Sequence, residues 1–341
     1  MMEGILGKIS KNTKVAIITH DTPDADAMAS AYGMQWLLKK KYTATSDIFY
    51  GGEISHPENR AFVNVLSLSL KPIEDFYAAE KYDLIIIVDA TENNVKLREG
   101  YKADIIIDHH RSKVKEEDYQ YVLNKQAGSC STLIHKIIES ENLELTKTDP
   151  DINVATALLF GLIKDSNNLL SDDCITDDFD VYRKLSTNSD LSKVKEIQNY
   201  PLPEYFFQLS AMAIEENNYF ENNGTYATFI GYLSEAKRDV LPYLADMLMR
   251  KDGISTTIVV AVVGDHIEAS IRSNSVSLDV NEFSQKIFGK ENAGGKRGAA
   301  GAKVALGFFT VKGVDEEYKK KIIDLVKEKI LIKVQKEISN D

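Results

Sequence analysis

The sequence predicts an α/β protein with two domains: a domain built on a mostly parallel sheet, then a helical linker, then a smaller α/β domain. One observation is the length, since 341 residues is about twice a typical domain of ~150 residues. Another is the alternation of short β-branched runs with helical patterns in the first part of the chain. The third is a change to hairpin-forming strands in the last third. We therefore expect domains over 1–190 and 222–341, with the linker over 191–221.

The strands of the first domain are expected to be buried on both faces. Runs such as KVAII and LIIIV are continuously apolar, which is typical of parallel strands covered by helices on both sides. Helical patterns lie between these runs, as crossover connections require. The predicted strands are Lys14–Thr19, Ser46–Tyr50, Leu84–Val88 and Asp104–Ile107, and the predicted helices are Met28–Lys40, Ser131–Glu141 and Ile152–Ile163.

The last third of the chain predicts strands joined by short turns, followed by a charged helix. The Gly264-Asp265 pair lies between two apolar runs and indicates a hairpin. A stretch rich in Gly and Ala, Asn292–Ala302, is expected to be a loop. The predicted strands are Tyr226–Ile230, Thr256–Val263, Ile267–Ile271 and Val304–Thr310, and the predicted helix is Glu316–Glu337.

The composition excludes several classes of protein. Lys and Arg total 41 and Asp and Glu total 52, so the net charge is -11 and long duplex DNA is not expected as a partner. No run of 18 apolar residues occurs, so no membrane partner is expected either. Cys130 and Cys174 do not make a disulfide framework, and the first residues lack the apolar core of a signal peptide. We expect a cytoplasmic protein.

Polar side chains follow the predicted strands at the end where open parallel sheets bind ligands. They come after three strands and at the end of one helix. Taken singly, an Asp in such a place is commonly a turn or cap residue, and Asp21 or Asp24 could cap the following helix. The residues in question are His20, Asp21, Asp24, Asp26, Asp89, Asp108, His109, His110 and Asp165.

This set of side chains predicts a metal site. Many carboxylates at one edge of a sheet would repel one another unless cations neutralised them. Mixed histidine and carboxylate ligands suit Mn²⁺ or a similar divalent ion. Two such ions that share a carboxylate, about 3.5–4 Å apart, form the usual clamp for in-line attack on phosphorus. We therefore expect divalent metal ions at this edge, with Mn²⁺ favoured by the ligand types.

These motifs resemble those of the DHH phosphoesterase superfamily. The first family motif is similar to H-x-x-P-D-x-D-x-x-x-S, and this chain has HDTPDAD over 20–26, followed by Ser30. The triplet Asp108–His110 resembles the one that gives the family its name. A lone Asp after a strand and an Asp at a helix end complete the set, here as Asp89 and Asp165.

The resemblance implies which side chains would hold each ion. Asp89 would belong to both sets and so bridge the two ions. A hydroxide between the ions would then be the nucleophile, with its pKa lowered by both. The implied sets are His20, Asp24 and Asp89 for one ion, and Asp26, Asp89, His109 and Asp165 for the other.

The remaining two members of the DHH triplet carry implied catalytic roles. His110 would not bind metal but would face the phosphate, as a hydrogen-bond donor or as general acid to the leaving oxygen. Asp108 would orient a histidine, and a plain strand-end cap is the alternative interpretation.

The C-terminal part resembles the DHH-associated domain, the substrate-recognition module of one branch of the family. Its glycine motif is similar to G-G-G-H-x-x-A-A-G, and this chain has AGGKRGAAG over 293–301, without the histidine. Glycines let a backbone approach a phosphate closely, and an arginine can hold a terminal phosphate through two hydrogen bonds. The substrate-binding residues implied are Arg272, Ser273, Gly294, Gly295, Lys296, Arg297 and Gly298.

Size and layout are most similar to the nanoRNase and pAp phosphatase group of the family. That resemblance implies hydrolysis of very short RNA, or of 3′-phosphoadenosine 5′-phosphate, through the metal-bridging hydroxide. The expected partner is accordingly a short RNA or nucleotide. A linear or cyclic dinucleotide phosphodiesterase, a single-strand exonuclease, a manganese pyrophosphatase and a non-catalytic scaffold are the alternatives. Attack from the 5′ or the 3′ end stays open, and so does the oligomeric state, including a homodimer.

Overall fold

The computed structural model describes residues 9–54, 56–79, 81–92, 94–95, 97–110, 119–296, 298–311 and 313–339. The chain divides into two compact units, Met1–Pro201 and Leu202–Asp341. Each unit is built on its own six-stranded sheet. The predicted α/β fold class is confirmed.

The sheet of the first unit is parallel throughout, as the continuous apolar runs predict. Its strand order is β3-β2-β1-β4-β5-β6, so β1 lies between β2 and β4 and the order reverses there. A reversal of this kind opens a crevice at the carboxyl ends of the strands, where ligands bind. The strands are β1 Lys14–Ile18, β2 Thr45–Tyr50, β3 Leu70–Pro72, β4 Leu84–Val88, β5 Ile105–Asp108 and β6 Tyr121–Asn124.

Helices cover both faces of this sheet. Side chains of alternate residues enter different cores: Val15 and Ile17 face one cluster, whereas Ala16 and Ile18 face the other. A Cβ at Gly33 would lie 2.8 Å from Ile134, so the glycine permits close packing between helices. The helices are α1 Ala25–Tyr42, α2 Pro57–Leu66, α3 Ile73–Ala78, α4 Cys130–Ser140, α5 Asp151–Asp165, α6 Thr176–Asn188 and α7 Leu191–Gln198.

The sheet of the second unit is mixed. Its strand order is β11-β12-β10-β9-β8-β7; β8 and β9 run parallel, and the other neighbours are antiparallel. The hairpin predicted at Gly264-Asp265 is confirmed, since it joins β9 to β10. The strands are β7 Tyr219–Asn222, β8 Thr225–Leu233, β9 Thr256–Val263, β10 His266–Ser273, β11 Ala293–Lys296 and β12 Ala299–Ala305.

Two predictions for this unit are wrong. The Gly- and Ala-rich stretch is the β11–β12 hairpin rather than a loop, because its small residues pair with β10 and bury Ala300 and Ala302. The strand predicted at Val304–Thr310 is the end of β12 followed by a 3₁₀ turn. Asp265 ends the strand: its carbonyl accepts from Leu306 N, and its carboxylate accepts from Val311 N.

Helices pack on both faces of this second sheet as well. They are α8 Glu204–Ala213, α9 Val240–Leu248, α10 Val280–Phe288 and α11 Glu316–Ser339, with 3₁₀ turns at Glu216–Asn218, Glu235–Lys237 and Gly307–Phe309. The segment 191–221, predicted as a linker, is divided between the units. Val194 and Ile197 of α7 enter the core of the first unit, and Phe206 and Leu209 of α8 enter that of the second. Within the described ranges, no helix is long and apolar enough to cross a membrane.

Candidate metal centre

The polar residues that follow the strands of the first sheet converge at its carboxyl edge. They form groups in which each residue offers one nitrogen or oxygen atom, and these atoms lie within 4.8 Å of one another. Asp89 belongs to two of the groups. The groups are His20, Asp24 and Asp89; Asp26, His109 and Asp165; and Asp89, His109 and His110. All six residues predicted as metal ligands are therefore brought together, although their roles remain predictions.

The turn after β1 positions two of the carboxylates. Asp24 caps α1, since its Oδ1 accepts hydrogen bonds from the backbone N of Asp26 and Ala27, both at 3.0 Å. The side chain that caps α1 thus also belongs to one of these groups, so the cap and candidate-ligand interpretations of Asp24 do not compete. Asp21 packs instead against Gly51, where an added Cβ would lie 1.9 Å from its Oδ1.

Asp26 is buried and bound to the amino end of α4. Its Oδ2 accepts from Cys130 N at 2.6 Å, and its Oδ1 accepts from Ser131 N at 2.9 Å and from Ser131 Oγ at 2.5 Å. A helix amino terminus stabilises negative charge, so α4 holds this carboxylate in place while leaving lone pairs for a cation. The run of small polar residues at 129–132 is the sequence signal for this contact.

Asp89 lies directly after β4 in a left-handed backbone conformation, with φ of 55°. A non-glycine residue rarely adopts this conformation, and such strain is concentrated at functional sites. The side chain is 2% exposed, and its Oδ1 has no aligned hydrogen-bond partner among the described residues. The nearest histidine nitrogens are His109 Nε2, 3.4 Å from Oδ1, His110 Nδ1, 3.8 Å from Oδ1, and His20 Nε2, 3.8 Å from Oδ2.

Two histidines present their Nε2 atoms to this group. Nδ1 of His109 lies 2.9 Å from the carbonyl oxygen of Ala127, and Nδ1 of His20 lies 2.9 Å from that of Asp21. A carbonyl only accepts, so each Nδ1 must donate, and the lone pair of the neutral ring is then on Nε2. His109 Nε2 is buried without an aligned hydrogen bond among the described residues, 3.1 Å from Asp165 Oδ2. This is the usual arrangement of a metal-binding histidine.

The third histidine is held differently. His110 is half exposed, and its Nδ1 lies 2.8 Å from Oδ1 of the buried Asp108. The same oxygen accepts from the backbone N of His110 at 3.2 Å. Asp108 thereby fixes both the ring and the backbone of His110, and leaves its Nε2 on the outer side of the ring.

The charges of the site favour a bound cation. Burial, followed by the charge of Asp165, raises the pKa of Asp26 to about 7. Burial and then Asp26 raise the pKa of Asp89 well above the ordinary range. For His109, burial lowers the pKa, but contacts with Asp165 and Asp89 outweigh it and raise the pKa to about 12. The clustered carboxylates carry negative charge, and their oxygens together with the imidazole nitrogens fit divalent ions of the Mn²⁺ type.

The second unit contains a pocket of about 380 Å³ beside the glycine hairpin. Arg272, Gly294 and Gly295, which were predicted to bind substrate, line it. Arg272 donates from Nε to Asp246 at 2.7 Å and from Nη1 to Ser270 Oγ at 3.1 Å. Arg238 also lines the pocket and contacts Glu268 at 3.0 Å; no motif pointed to it.

The other residues predicted to bind substrate are placed as follows. The Ser273 hydroxyl lies 2.9 Å from Thr256 Oγ1, inside the unit rather than in the pocket. Gly298 lies in the β11–β12 turn with φ of 81°, and its carbonyl accepts from Ser273 N. The backbone of Lys296 is in β11, whereas its side chain and the whole of Arg297 lie outside the described residues.

The chain matches two family models. Residues 14–162 match "DHH family, N-terminal domain", and residues 225–331 match "DHHA1 domain". An uncharacterized protein of Methanocaldococcus jannaschii, MJ1633, is 32% identical over 321 residues, or 94% of this chain and 64% of that protein. A Streptococcus equi subsp. zooepidemicus protein named "Probable manganese-dependent inorganic pyrophosphatase" is 25% identical over 158 residues, 45% of this chain and 49% of the relative. The chain thus spans about two thirds of one relative and half of the other.

Among solved structures, an exopolyphosphatase-related protein from Bacteroides fragilis has the same fold. It superposes with a TM-score of 0.66 at 14% identity, over 98% of this chain and 96% of that one. The two family matches follow one another in the order of the two units. With the DHH triplet at the carboxyl edge of the first sheet and the glycine hairpin in the second, the chain belongs to the DHH phosphoesterase superfamily, in the branch that carries a DHHA1 domain.

Proposed function

We propose that this chain is a Mn²⁺-dependent phosphoesterase that hydrolyses short oligoribonucleotides, 3′-phosphoadenosine 5′-phosphate, or both. The observation that carries the proposal is the position of Asp89, which forms a group with His20 and Asp24 and also lies 3.4 Å from Nε2 of His109, a member of the group with Asp26 and Asp165. A shared carboxylate supports a pair of ions acting on one phosphorus centre. The likeness to a protein named for manganese dependence supports Mn²⁺ as the metal.

Each side chain of the centre has a part in the proposed reaction. His20, Asp24 and Asp89 would hold one ion, and Asp26, His109 and Asp165 the other. Asp89, which also contacts His109 at 3.4 Å, would complete the second set, as the family resemblance implies. When bound, divalent ions lower the pKa of a water and neutralise charge on the phosphate. The carbonyl groups of Asp21 and Ala127 keep the two histidines in the tautomer that binds metal.

His110 has the geometry of a proton donor to the leaving oxygen. Its Nδ1 is engaged by Asp108 at 2.8 Å, and its ring is half exposed, so Nε2 is accessible. With Nδ1 held by Asp108, Nε2 is the ring nitrogen left to give a proton to the leaving alkoxide. This supports the catalytic assignment of both residues.

The second unit supports a small anionic substrate. Arg272 and Arg238 line one pocket with the backbone of Gly294 and Gly295, and guanidinium groups bind phosphate through paired hydrogen bonds. A pocket of about 380 Å³ suits a nucleotide rather than a long strand. The net charge of -11 also favours short ligands, because a long polyanion needs an extended basic surface.

Inorganic pyrophosphate is a second candidate substrate, favoured by the likeness to the streptococcal relative. That likeness covers 45% of this chain and does not account for the DHHA1 match over residues 225–331. The preference for a nucleotide rests on the resemblance of this second domain to a substrate-recognition module and on its arginine-lined pocket. A dinucleotide phosphodiesterase or a single-strand exonuclease would use the same metal centre. A non-catalytic scaffold is disfavoured because all six predicted metal ligands are present.

Turnover on a panel of substrates tests the proposal. The full chain with Mn²⁺ would be given a 5′-labelled RNA dinucleotide, a 24-nucleotide RNA, 3′-phosphoadenosine 5′-phosphate, a cyclic dinucleotide and pyrophosphate. We expect the first or third substrate to be hydrolysed with the highest kcat/KM, and the products to show the end from which attack occurs. Preference for the 24-nucleotide RNA or for pyrophosphate would refute the substrate assignment, and inactivity on all five despite bound Mn²⁺ would refute the proposal.

A further inference from the structure

Asp178 is a fully buried carboxylate that belongs to none of the metal or substrate motifs. It lies in the first turn of α6 and is surrounded by hydrogen-bond donors. Its Oδ2 accepts from Gly128 N at 2.8 Å and from Ile175 N at 2.7 Å, and its Oδ1 accepts from Thr132 Oγ1 at 2.6 Å. Three donors from two segments of chain therefore converge on one side chain.

Two of these donors belong to the segment 127–132, which joins β6 to α4 and touches two of the candidate metal ligands. At one end the carbonyl of Ala127 binds Nδ1 of His109. At the other end the backbone N of Cys130 and of Ser131 donate to Asp26. Gly128 and Thr132, which contact Asp178, lie within this same short segment.

We propose that Asp178 is a positioning residue for the metal ion held by Asp26, His109 and Asp165, an inference that rests on the proposed function. By anchoring the segment 127–132, Asp178 sets the direction of the Ala127 carbonyl and of the α4 amino terminus together. Groups that orient metal ligands from outside are often nearly as important for affinity as the ligands themselves.

The contact is matched to a carboxylate. A carboxylate accepts from all three donors, whereas an asparagine accepts from the two backbone N–H groups only and turns its NH₂ group toward Thr132 Oγ1, so that this hydroxyl must rotate and lose its own donation. The approach is also close: a Cβ at Gly128 would lie 3.0 Å from Asp178 Oδ2 and 3.0 Å from Cys174 Sγ. Glycine at 128 and aspartate at 178 therefore act as a matched pair.

The other candidate ion does not depend on this anchor. His20 is oriented by the carbonyl of Asp21, and Asp24 is fixed by the first turn of α1. A change at Asp178 should therefore weaken the binding of one ion and leave the binding of the other nearly unchanged. A purely structural helix cap would instead affect overall stability, with no preference between the ions.

Titration of the full-length Asp178→Asn protein with Mn²⁺ tests this inference, with free Mn²⁺ followed by electron paramagnetic resonance. We expect two bound ions in the unaltered protein and, in the variant, one ion bound about 10- to 100-fold more weakly. The rate of hydrolysis by the variant should then fall at limiting Mn²⁺ and recover when Mn²⁺ is in excess. The matched control is Asp190→Asn. Asp190 caps α7 by accepting hydrogen bonds from Ser192 N and Lys193 N, so this substitution should leave the affinities for both Mn²⁺ ions unchanged.

Unchanged affinities in Asp178→Asn, or an equal loss for both ions, would overturn the inference. If that variant does not fold, Thr132→Val removes one of the three hydrogen bonds and should weaken the same ion in the same direction; unchanged binding there would overturn it equally. Failure of the unaltered protein to bind Mn²⁺ would refute the proposed function instead. If the unaltered protein binds two ions and Asp178→Asn binds them equally well, only the positioning role is refuted.

Discussion

Replacement of Asp89 by asparagine should stabilise the metal-free protein while abolishing metal-dependent activity. Asp89 is 2% exposed, its Oδ1 has no aligned hydrogen bond among the described residues, and other carboxylates adjoin it. Burial and then the charge of Asp26 raise its pKa. Because the folded protein binds this proton more tightly than the unfolded chain, the metal-free protein loses stability as the pH rises above the ordinary carboxyl pKa of about 3.9. Asp89→Asn removes that loss.

The magnitude follows from the distance to the neighbouring charge. Asp24 and Asp89 present oxygens no more than 4.8 Å apart. At this separation two unit charges repel by about 3.5 kcal/mol for an effective dielectric constant of about 20. Asp24 is exposed and His109 offsets part of the charge, so we expect about 1–2 kcal/mol of net stabilisation at pH 8. For a unit of this size that corresponds to a rise in Tm of roughly 2–8 °C.

Differential scanning calorimetry of chelator-treated protein measures the change in Tm that Asp89→Asn causes. Repeating the scan with Mn²⁺ measures how strongly metal binding stabilises each protein. At 100 times the Kd, Mn²⁺ should stabilise the unaltered protein by about 2.7 kcal/mol per site and Asp89→Asn much less. Asp104→Asn is the control, because its carboxylate lies at the opposite edge of the same sheet and accepts from Ile85 N and Gln120 Nε2. That variant should lose stability and keep the Mn²⁺ response. A lower Tm for metal-free Asp89→Asn, or full activity with Mn²⁺, would refute the reasoning.

Three further variants test the other parts of the molecule. His110→Gln should lower kcat by about 10²–10⁴-fold with unchanged Mn²⁺ binding, measured by steady-state kinetics and metal titration; weaker metal binding would make His110 a ligand instead. Arg272→Ala should raise KM for phosphate-terminated nucleotides more than for a chromogenic phosphodiester, and equal effects would remove it from recognition. Gly295→Ala should destabilise the protein by about 1–3 kcal/mol, measured by urea unfolding, because its Cβ would lie 2.3 Å from the backbone oxygen of Ala299; unchanged stability would contradict this packing.

The first sheet could be predicted because each of its central strands is a continuous apolar run. Leu84–Val88 was predicted without error, since alternate residues enter two different cores and all must be apolar. The edge strand Tyr121–Asn124 was missed: it is short and lies beside polar residues. In the second unit the β11–β12 hairpin was missed because Gly and Ala carry little strand propensity, and the pairing with β10 decides their structure.

The candidate ligands could be predicted because they follow strands, but the groups that orient them could not. The carbonyl of Ala127 has no side-chain signature. The polar run at 129–132 indicates the start of a helix, but only the folded chain shows that the backbone N of Cys130 faces Asp26. Arg238 was missed for a similar reason, since it follows a 3₁₀ turn and only the folded chain places it in the same pocket as the glycine hairpin.

The unusual features of the first unit coincide at one place, and that coincidence supports a cation there. Asp89 has a strained backbone, Asp26 is a buried carboxylate with a pKa of about 7, and His109 has a buried nitrogen without an aligned hydrogen bond. Each feature alone would lower stability, and nothing in the sheet requires any of them. Divalent ions would neutralise the carboxylates, occupy the lone pair of the histidine and stabilise the position that the strained turn imposes. One requirement therefore explains three separate departures from ordinary protein structure.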